Sequence, residues 1–276
     1  MKNILLATTA LVMTAGFASA EVTLSGVGEA GIVNTAAAAS TVYSGMKVKF
    51  AAGTTTDNGL SMKLDGTIGA GNTLDLLDDF ELDTVGGTMG VPTLTISGGG
   101  VTVVMENGAI GNKYDVDQDD GDIGVSGTFG DLTWGITAET NSDAGAVSNS
   151  YGLGYTMGAI GLSLVGTDAD QTKGTVTYTM GDTVFSAYSD KNGTVTTVGG
   201  GVDLTLNGAT ISYSGNDADE WDLSVGYVMD AVSIAYSTSE AKDWTTTAVY
   251  DLGGSAHINL GTNNAETTFA GVSFAF

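Results

Sequence analysis

One pattern constrains the fold of this chain more than any other: apolar and polar side chains alternate through many short segments that are joined by tight turns. Residues 151–157 are an example, because Tyr151, Leu153, Tyr155 and Met157 share one face and small or polar residues share the other. Side chains of a β-strand alternate with a period of two residues. Each such segment therefore predicts a strand with one apolar and one polar face.

Turns with the composition of β-hairpins recur from about residue 122 onward, at intervals of roughly 23–28 residues. They contain Gly, Asn or Asp, which tolerate positive φ in tight turns. Longer polar stretches separate one hairpin from the next. The pattern predicts an up-and-down antiparallel meander with short turns at one end. The turns lie at 129–132, 157–160, 180–183, 206–209, 229–232 and 252–255.

Strand counting gives the size of the predicted sheet. Strands are expected near 22–33, 42–53, 58–68, 93–98 and 101–107, then as six hairpins between 122 and 262, and finally at 267–276. The sum is about 18, with 16 left open if one weak hairpin does not form. The stretch at 73–82 is left open as additional structure.

Alternation alone fits a soluble β-sandwich as well as a membrane barrel. Two further features favour the barrel. Aromatic residues lie near the strand ends, as Tyr151, Trp221 and Trp244 do on the loop side and Phe129 and Tyr250 do near the turns. The apolar face carries almost no charge, and the polar face carries small side chains. We therefore predict an all-β transmembrane barrel of 16–18 strands, wide enough for an aqueous channel, with short periplasmic turns and longer external loops.

The two ends of the chain fit this fold. Residues 1–20 have one Lys, a short apolar stretch and an Ala-Ser-Ala site, which predicts a cleaved signal peptide. Residues 21–276 are then expected to form one barrel domain. The alternation continues to Phe276, so the last strand is expected to pair with the first and to leave no edge.

The balance of acidic and basic residues indicates which classes of molecule the protein can bind or admit. The net charge is −24, with 32 acidic residues, 8 lysines and no arginine. This composition argues against nucleic acid or an anionic lipid surface and favours cations or neutral solutes. No cysteine is present, so disulfides do not contribute to stability.

Several segments resemble the general porins of alphaproteobacteria, a Gram-negative family. They are EVTLSGVGEAGIVN at the expected mature start, LTISGGGVTVVMENG (94–108), YDLGGSAHINLG (250–261) and the terminal VSFAF. The resemblance implies a homotrimer of 16-stranded barrels in the outer membrane, each with a water-filled pore narrowed by an inward-folded third loop. It also implies that Phe274 and Phe276 are read by the barrel assembly machinery. Our strand count gives nine external loops, one more than the pattern of that family implies.

A basic cluster is expected on one wall of the lumen. Met46, Val48 and Phe50 would face outward, which places Lys47 and Lys49 inward. On the next strand the same alternation places Lys63 inward. In the family that this chain resembles, such a wall lies opposite the constriction loop. An alternative is that these three lysines merely offset an acidic interior.

The stretch NKYDVDQDDGD (112–122) follows the fifth expected strand and is the candidate third loop. Opposite the lysines, it would set a transverse field that favours cations. Alternatives are a solvated acidic loop or loose binding of a divalent cation. An EF-hand is rejected, because Asp120 stands where Gly is needed and Ser126 where Glu is needed. A second acidic stretch, 75–83, is expected at the mouth. The candidate carboxylates of the loop are Asp115, Asp117, Asp119, Asp120 and Asp122.

No pattern indicates an enzyme, a metal centre or a cofactor. The chain has one histidine, His257, which supplies neither a metal cluster nor a catalytic triad. The sequence favours a passive, cation-preferring channel for small hydrophilic solutes. The alternative is a structural or adhesive surface protein without an open pore.

Overall fold

A computed structural model describes residues 21–36, 39–75, 80–87, 89–115, 119–140 and 149–276, and of residues 119 and 120 it describes the backbone alone. The predicted signal peptide at 1–20 lies outside these ranges. Within them, no helix is long and apolar enough to cross a membrane.

The described residues form nineteen strands. In chain order they are β1 (Glu21–Asn34), β2 (Thr41–Thr55), β3 (Ser61–Leu74), β4 (Leu82–Thr84), β5 (Thr93–Gly98), β6 (Val101–Gly111), β7 (Asp119–Phe129), β8 (Leu132–Ala138), β9 (Ser150–Met157), β10 (Ile160–Thr167), β11 (Gln171–Met180), β12 (Thr183–Asn192), β13 (Val195–Leu206), β14 (Ala209–Asn216), β15 (Trp221–Met229), β16 (Val232–Ser239), β17 (Trp244–Gly253), β18 (Ala256–Asn263) and β19 (Thr268–Ala275).

Eighteen of these strands form a closed antiparallel barrel, because β1 pairs with β2 on one side and with β19 on the other. The short strand β4 pairs with the end of β3, and the ring itself continues from β3 to β5. Backbone bonds join Gly26 and Phe276 in both directions, at 2.8 and 2.9 Å. The predicted barrel and its upper strand count are confirmed.

The two faces of the ring differ as the alternation predicts. Apolar side chains such as Leu164, Phe185 and Leu260 are exposed on the outer face, where lipid would cover them. Small polar residues occupy the alternate positions that face the lumen. Since every strand has two hydrogen-bonded neighbours in the ring, no edge remains inside the membrane.

Tight turns lie at one end of the barrel and longer connections at the other. Gly130, Gly158, Gly181 and Asp230 take positive φ at four of the predicted turns. The last predicted turn is displaced by one residue. The Gly253 N–H donates to Asp251 Oδ1 at 2.7 Å, and the resulting bulge keeps Gly253 within β17.

The third expected strand begins and ends later than the sequence indicates. It was expected near 58–68, whereas β3 spans Ser61–Leu74. The Leu60 N–H donates to the Thr56 hydroxyl at 3.0 Å, and Gly59 has a φ of 82°, so residues before 61 form a turn.

The seam between the first and last strands is covered by two aromatic rings. A Cβ added to Gly26 would lie 2.3 Å from the Phe276 ring, and one added to Gly28 would lie 2.8 Å from the Phe274 ring. The two rings are themselves 6.1 Å apart. Glycines on β1 thus provide the space in which the C-terminal phenylalanines lie on the outer face.

Candidate functional site: the lumen and its inward segments

The predicted basic wall lies on the lumenal faces of β2 and β3. Lys49 and Lys63 both approach one carboxylate, that of Asp65, with Nζ to Oδ1 distances of 3.6 and 2.8 Å. Both lysine side chains remain about half exposed, at 54% and 51%. They are therefore held in place by Asp65 and still present positive charge to the lumen.

Lys47 has a separate acidic partner. It interacts electrostatically with Glu29 on the adjacent strand β1. Sequence reasoning missed both acids, although the alternation that places the three lysines inward also places Glu29 and Asp65 inward. The basic wall is therefore a mixed patch, in which three lysines interact with two carboxylates.

The β6–β7 loop (residues 112–118) begins against the lumenal wall. The Lys113 N–H donates to the Ser150 hydroxyl at 2.8 Å, and the Thr137 hydroxyl donates to the Gly111 carbonyl at 3.2 Å. Both hydroxyl residues are almost fully buried. A Cβ added to Gly135 would lie 3.2 Å from Lys113 Cε, so the Lys113 side chain lies across β8. The described residues of the loop, 112–115, therefore begin against the inner wall of the barrel.

A hydrogen bond fixes this loop to a wall several strands further round the ring. The Tyr114 hydroxyl donates to Asp190 Oδ1 on β12. Lys173 approaches the other oxygen of that carboxylate at 3.5 Å and lies 4.6 Å from the centre of the Tyr188 ring. These contacts on β11 and β12 hold the described part of the loop inside the lumen.

The environment of Tyr114 also changes its acidity. Burial is the first cause and the neighbouring Asp190 carboxylate the second, and together they raise the pKa of Tyr114 to about 12. The phenol therefore stays protonated and continues to donate its hydrogen bond well above neutral pH.

The acidic residues of the predicted loop separate into three groups. Asp115 lies in the loop, where its N–H donates to Asn112 Oδ1. Asp117 lies outside the described residues. Asp119, Asp120 and Asp122 belong to β7, which begins earlier than the expected position near 122. Of the five candidate carboxylates, the structure describes those of Asp115 and Asp122, and Asp115 is the one of these two that lies in the loop itself.

The Asp122 carboxylate is held in place by hydrogen bonds from two other segments. Its carboxylate accepts hydrogen bonds from the Gly108 N–H at 2.8 Å and the Thr140 N–H at 2.9 Å, and also from the Thr140 hydroxyl. The side chain is 8% exposed. Regular β6–β7 pairing is interrupted after Met105, which leaves a bulge in β6. The Asp122 carboxylate connects this bulge to the residues that follow β8.

The acidic stretch at 75–83 contributes to a second inward segment. Gly71 has a φ of 83° and ends the regular alternation of β3. Beyond it, β4 pairs with the last residues of β3, and Phe80 is 1% exposed. The Phe80 ring lies edge-on to Phe269 at 4.7 Å. Four further residues complete this cluster, namely Val33, Tyr43, Leu74 and Leu82.

The opposite part of the lumen has a different lining. Strands β12–β17 present hydroxyl side chains around Asp203 and Asp222, and the Ser212 hydroxyl donates to the Asp203 carboxylate. No lysine occurs in the strands β13–β19. The main hydroxyl residues of this surface are Ser186, Ser212, Ser214, Ser224, Ser237 and Thr245.

The described side chains include no group of three or more His, Asp or Glu residues that could hold a metal ion. His257 Nδ1 lies 3.9 Å from Asp251 Oδ1 on the adjacent strand, and both side chains are partly exposed. The arrangement of the lumen can attract, repel and filter ions and small solutes through its charge and width.

Solved structures with a similar fold include porins. A triple mutant of the Rhodopseudomonas blastica porin is 18% identical, with a TM-score of 0.56, and the match covers 92% of this chain and 100% of that one. Pseudomonas aeruginosa OpdK, solved with vanillate, is 13% identical with a TM-score of 0.63, covering 92% and 98%. At these identities the likeness shows the fold. Among curated protein sequences, none matches this chain.

The family model described as Gram-negative porin matches residues 7–274, which is nearly the whole chain. The closed barrel, the polar lumen and its inward loop agree with that match, and together they indicate an outer-membrane channel. This chain belongs to the Gram-negative porin family.

Proposed function

We propose that this protein is a passive diffusion channel that prefers cations and admits small hydrophilic solutes. The single observation that carries the proposal is the distribution of charge in the lumen. The three lysines of the basic wall have acidic partners, whereas Asp203 and Asp222 lie on strands of the group β13–β19, which contain no lysine. The lining therefore has an excess of negative charge.

The physical basis of this preference is electrostatic. A narrow lumen in a barrel surrounded by lipid has low-dielectric walls, which strengthen the field of the lining charges. Carboxylates there raise the local concentration of cations and lower that of anions. The net charge of −24 acts in the same direction.

The lining also suits neutral polar solutes. Serine and threonine hydroxyls on β12–β17 both donate and accept hydrogen bonds, so they can replace part of the hydration shell of a passing solute. No step in this proposal requires a cofactor, and the function would follow from width and charge. A loosely held divalent cation near the acidic loop remains compatible with it.

The assembly that we propose is a homotrimer in the outer membrane. The outer face of the barrel is apolar, and its terminal rings, Phe274 and Phe276, lie exposed on it. We further propose that these two rings are contacted by the barrel assembly machinery before the seam closes.

The test is single-channel recording of the refolded chain without residues 1–20 in a planar bilayer under a salt gradient. Stepwise conductance with a reversal potential that favours cations is the expected result, and three equal closing steps would support a trimer. An inserted, folded barrel without conductance would overturn the channel. Conductance with an anion-selective reversal potential would overturn the cation preference alone.

A further inference from the structure

We propose that residues 80–85, here called the β4 segment, form a second constriction element on the basic side of the lumen. It comprises Phe80, the strand β4 and Val85. This inference rests on the proposed channel function and assigns to Phe80 the role of a positioning residue that holds the segment against the wall.

The first argument is the burial of Phe80. This residue lies in a connection between strands and yet is 1% exposed, less than any apolar residue of the barrel wall. Its neighbours Val33, Tyr43 and Phe269 are buried to 5, 4 and 5% exposure. They lie on lumen-facing positions of three strands, β1, β2 and β19. The ring therefore anchors the connection inside the barrel and not at its outer surface.

The second argument is the backbone. Strand β4 pairs with β3 through Asn72–Thr84, Thr73–Asp83 and Leu74–Leu82. The Leu74 N–H donates to Glu29 Oε1 at 2.8 Å, which draws the end of β3 towards β1. These bonds fix the path of the segment on both sides of its apolar anchor.

The third argument is the absence of side chains beneath the segment. A Cβ added to Gly69 would lie 2.9 Å from Val85 Cβ in the segment, and one added to Gly45 would lie 2.4 Å from the carbonyl oxygen of Asn72, the β3 residue that pairs with Thr84. Both glycines occupy lumen-facing positions, on β2 and β3. The wall is thus shaped so that the chain can lie directly on it.

The segment carries exposed negative charge. Asp83 and Glu81 are exposed on it, and Glu29, which holds its base, also interacts with Lys47. The segment therefore adds negative charge on the side of the lumen where the lysines lie. It would narrow the pore there and offset part of the lysine field.

A cysteine reporter tests whether the segment lines the conducting path. The chain has no cysteine of its own, so Asp83→Cys gives a single reactive site. Modification with a bulky anionic thiol reagent is expected to produce a stepwise loss of single-channel conductance. The control is Asp57→Cys, which removes the same charge at an exposed position in the β2–β3 turn. Modification of Asp83→Cys with no change in current would overturn the inference.

Release of the anchor is the complementary test. Phe80→Ala is expected to raise the open-channel conductance and to lower cation preference, because the acidic segment leaves the wall. Phe129→Ala is the matched control, since that ring is 81% exposed at a turn. Equal conductance in wild type and Phe80→Ala would overturn the inference while leaving the proposed channel intact.

A protease readout separates the two proposals. Phe269→Ala removes the wall side of the contact and leaves Phe80 available to chymotrypsin. The folded variant is expected to gain cleavage after Phe80, from which wild type is protected. This result would support the anchored segment even if wild type did not conduct. Cleavage of wild type at the same rate would overturn it.

Discussion

The two sides of the barrel are built differently. The side that contains β1–β6 carries the basic wall and the β4 segment, and the β6–β7 loop leaves from its end. The side that contains β13–β19 consists of plain hairpins, with three acidic residues and no lysine in its strands. The acidic residues of the second side are Asp203, Asp222 and Asp251.

This difference shows how a passive pore can divide its properties between two surfaces. The plain side provides a wall of paired strands that presents hydroxyl side chains around Asp203 and Asp222. The elaborated side brings chain into the lumen and pairs lysines with acids, and we propose that the width and the local field of the pore are set there. The contact between Tyr114 and Asp190 attaches the β6–β7 loop to β12, the strand that pairs with the first strand of the plain side.

The largest expected effect comes from neutralising the basic wall. Replacing Lys47, Lys49 and Lys63 with Gln leaves Glu29 and Asp65 without their cationic neighbours, so the lumen becomes acidic on both sides. We expect the cation-to-anion permeability ratio, measured from reversal potentials in a salt gradient, to rise several-fold. Lys242→Gln, which removes a charge from an exposed connection, is the control. An unchanged ratio in the triple variant would remove these lysines from the selectivity of the pore.

The second prediction removes the bond that holds the β6–β7 loop on β12, next to the plain side. Tyr114→Phe removes a hydrogen bond to a carboxylate, an interaction that contributes about 1.5–3 kcal/mol. The β6–β7 loop should then leave the wall more often, which we expect to see as frequent transitions to a higher conductance level. Tyr151→Phe is the control, because this ring is exposed on the outer face of β9. Identical recordings from wild type and Tyr114→Phe would show that the bond does not hold the loop.

The third prediction concerns the plain side alone. Asp203→Asn and Asp222→Asn together keep the shape of the two side chains and remove both carboxylates. Cation preference should therefore fall. The size of this fall should be smaller than the rise expected for the triple lysine variant. Asp182→Asn at an exposed turn controls for the general loss of charge. A fall of the same size in the control would assign the effect to the mouth of the pore.

The smallest effect is expected at alkaline pH. The pKa of Tyr114 is raised from 10.0 to about 12, so its contribution to stability is complete below pH 10 and is lost as pH rises through about 12. Ultraviolet titration of the folded protein should contain one late tyrosine transition that Tyr114→Phe lacks. A variant titration that matches wild type would contradict this assignment.

Much of the fold can be predicted from the sequence, because a period of two residues records locally which face each side chain takes. That rule places Lys47, Lys49 and Lys63 in the lumen, and turn composition gives the hairpins of the second half. The same rule also places the acids Glu29 and Asp65 in the lumen.

The inward segments are not encoded in this local way. Gly71 interrupts the alternation of β3, after which the period no longer gives the face. Phe80 contacts Phe269, and Tyr114 contacts Asp190, across long stretches of chain that closure of the ring brings together. Such contacts depend on strand stagger and loop path, which sequence alternation does not record.

The two aromatic rings over the seam couple the residues of the first strand to those of the last. Gly26 and Gly28 have no room for a Cβ while Phe276 and Phe274 remain in place. A larger residue at those glycines would require either a displaced ring or a smaller residue at the partner position on β19 or at residue 276. During sequence drift these four positions are therefore expected to covary, and a chimera of two such barrels is expected to close its seam best when the first and last strands come from the same barrel.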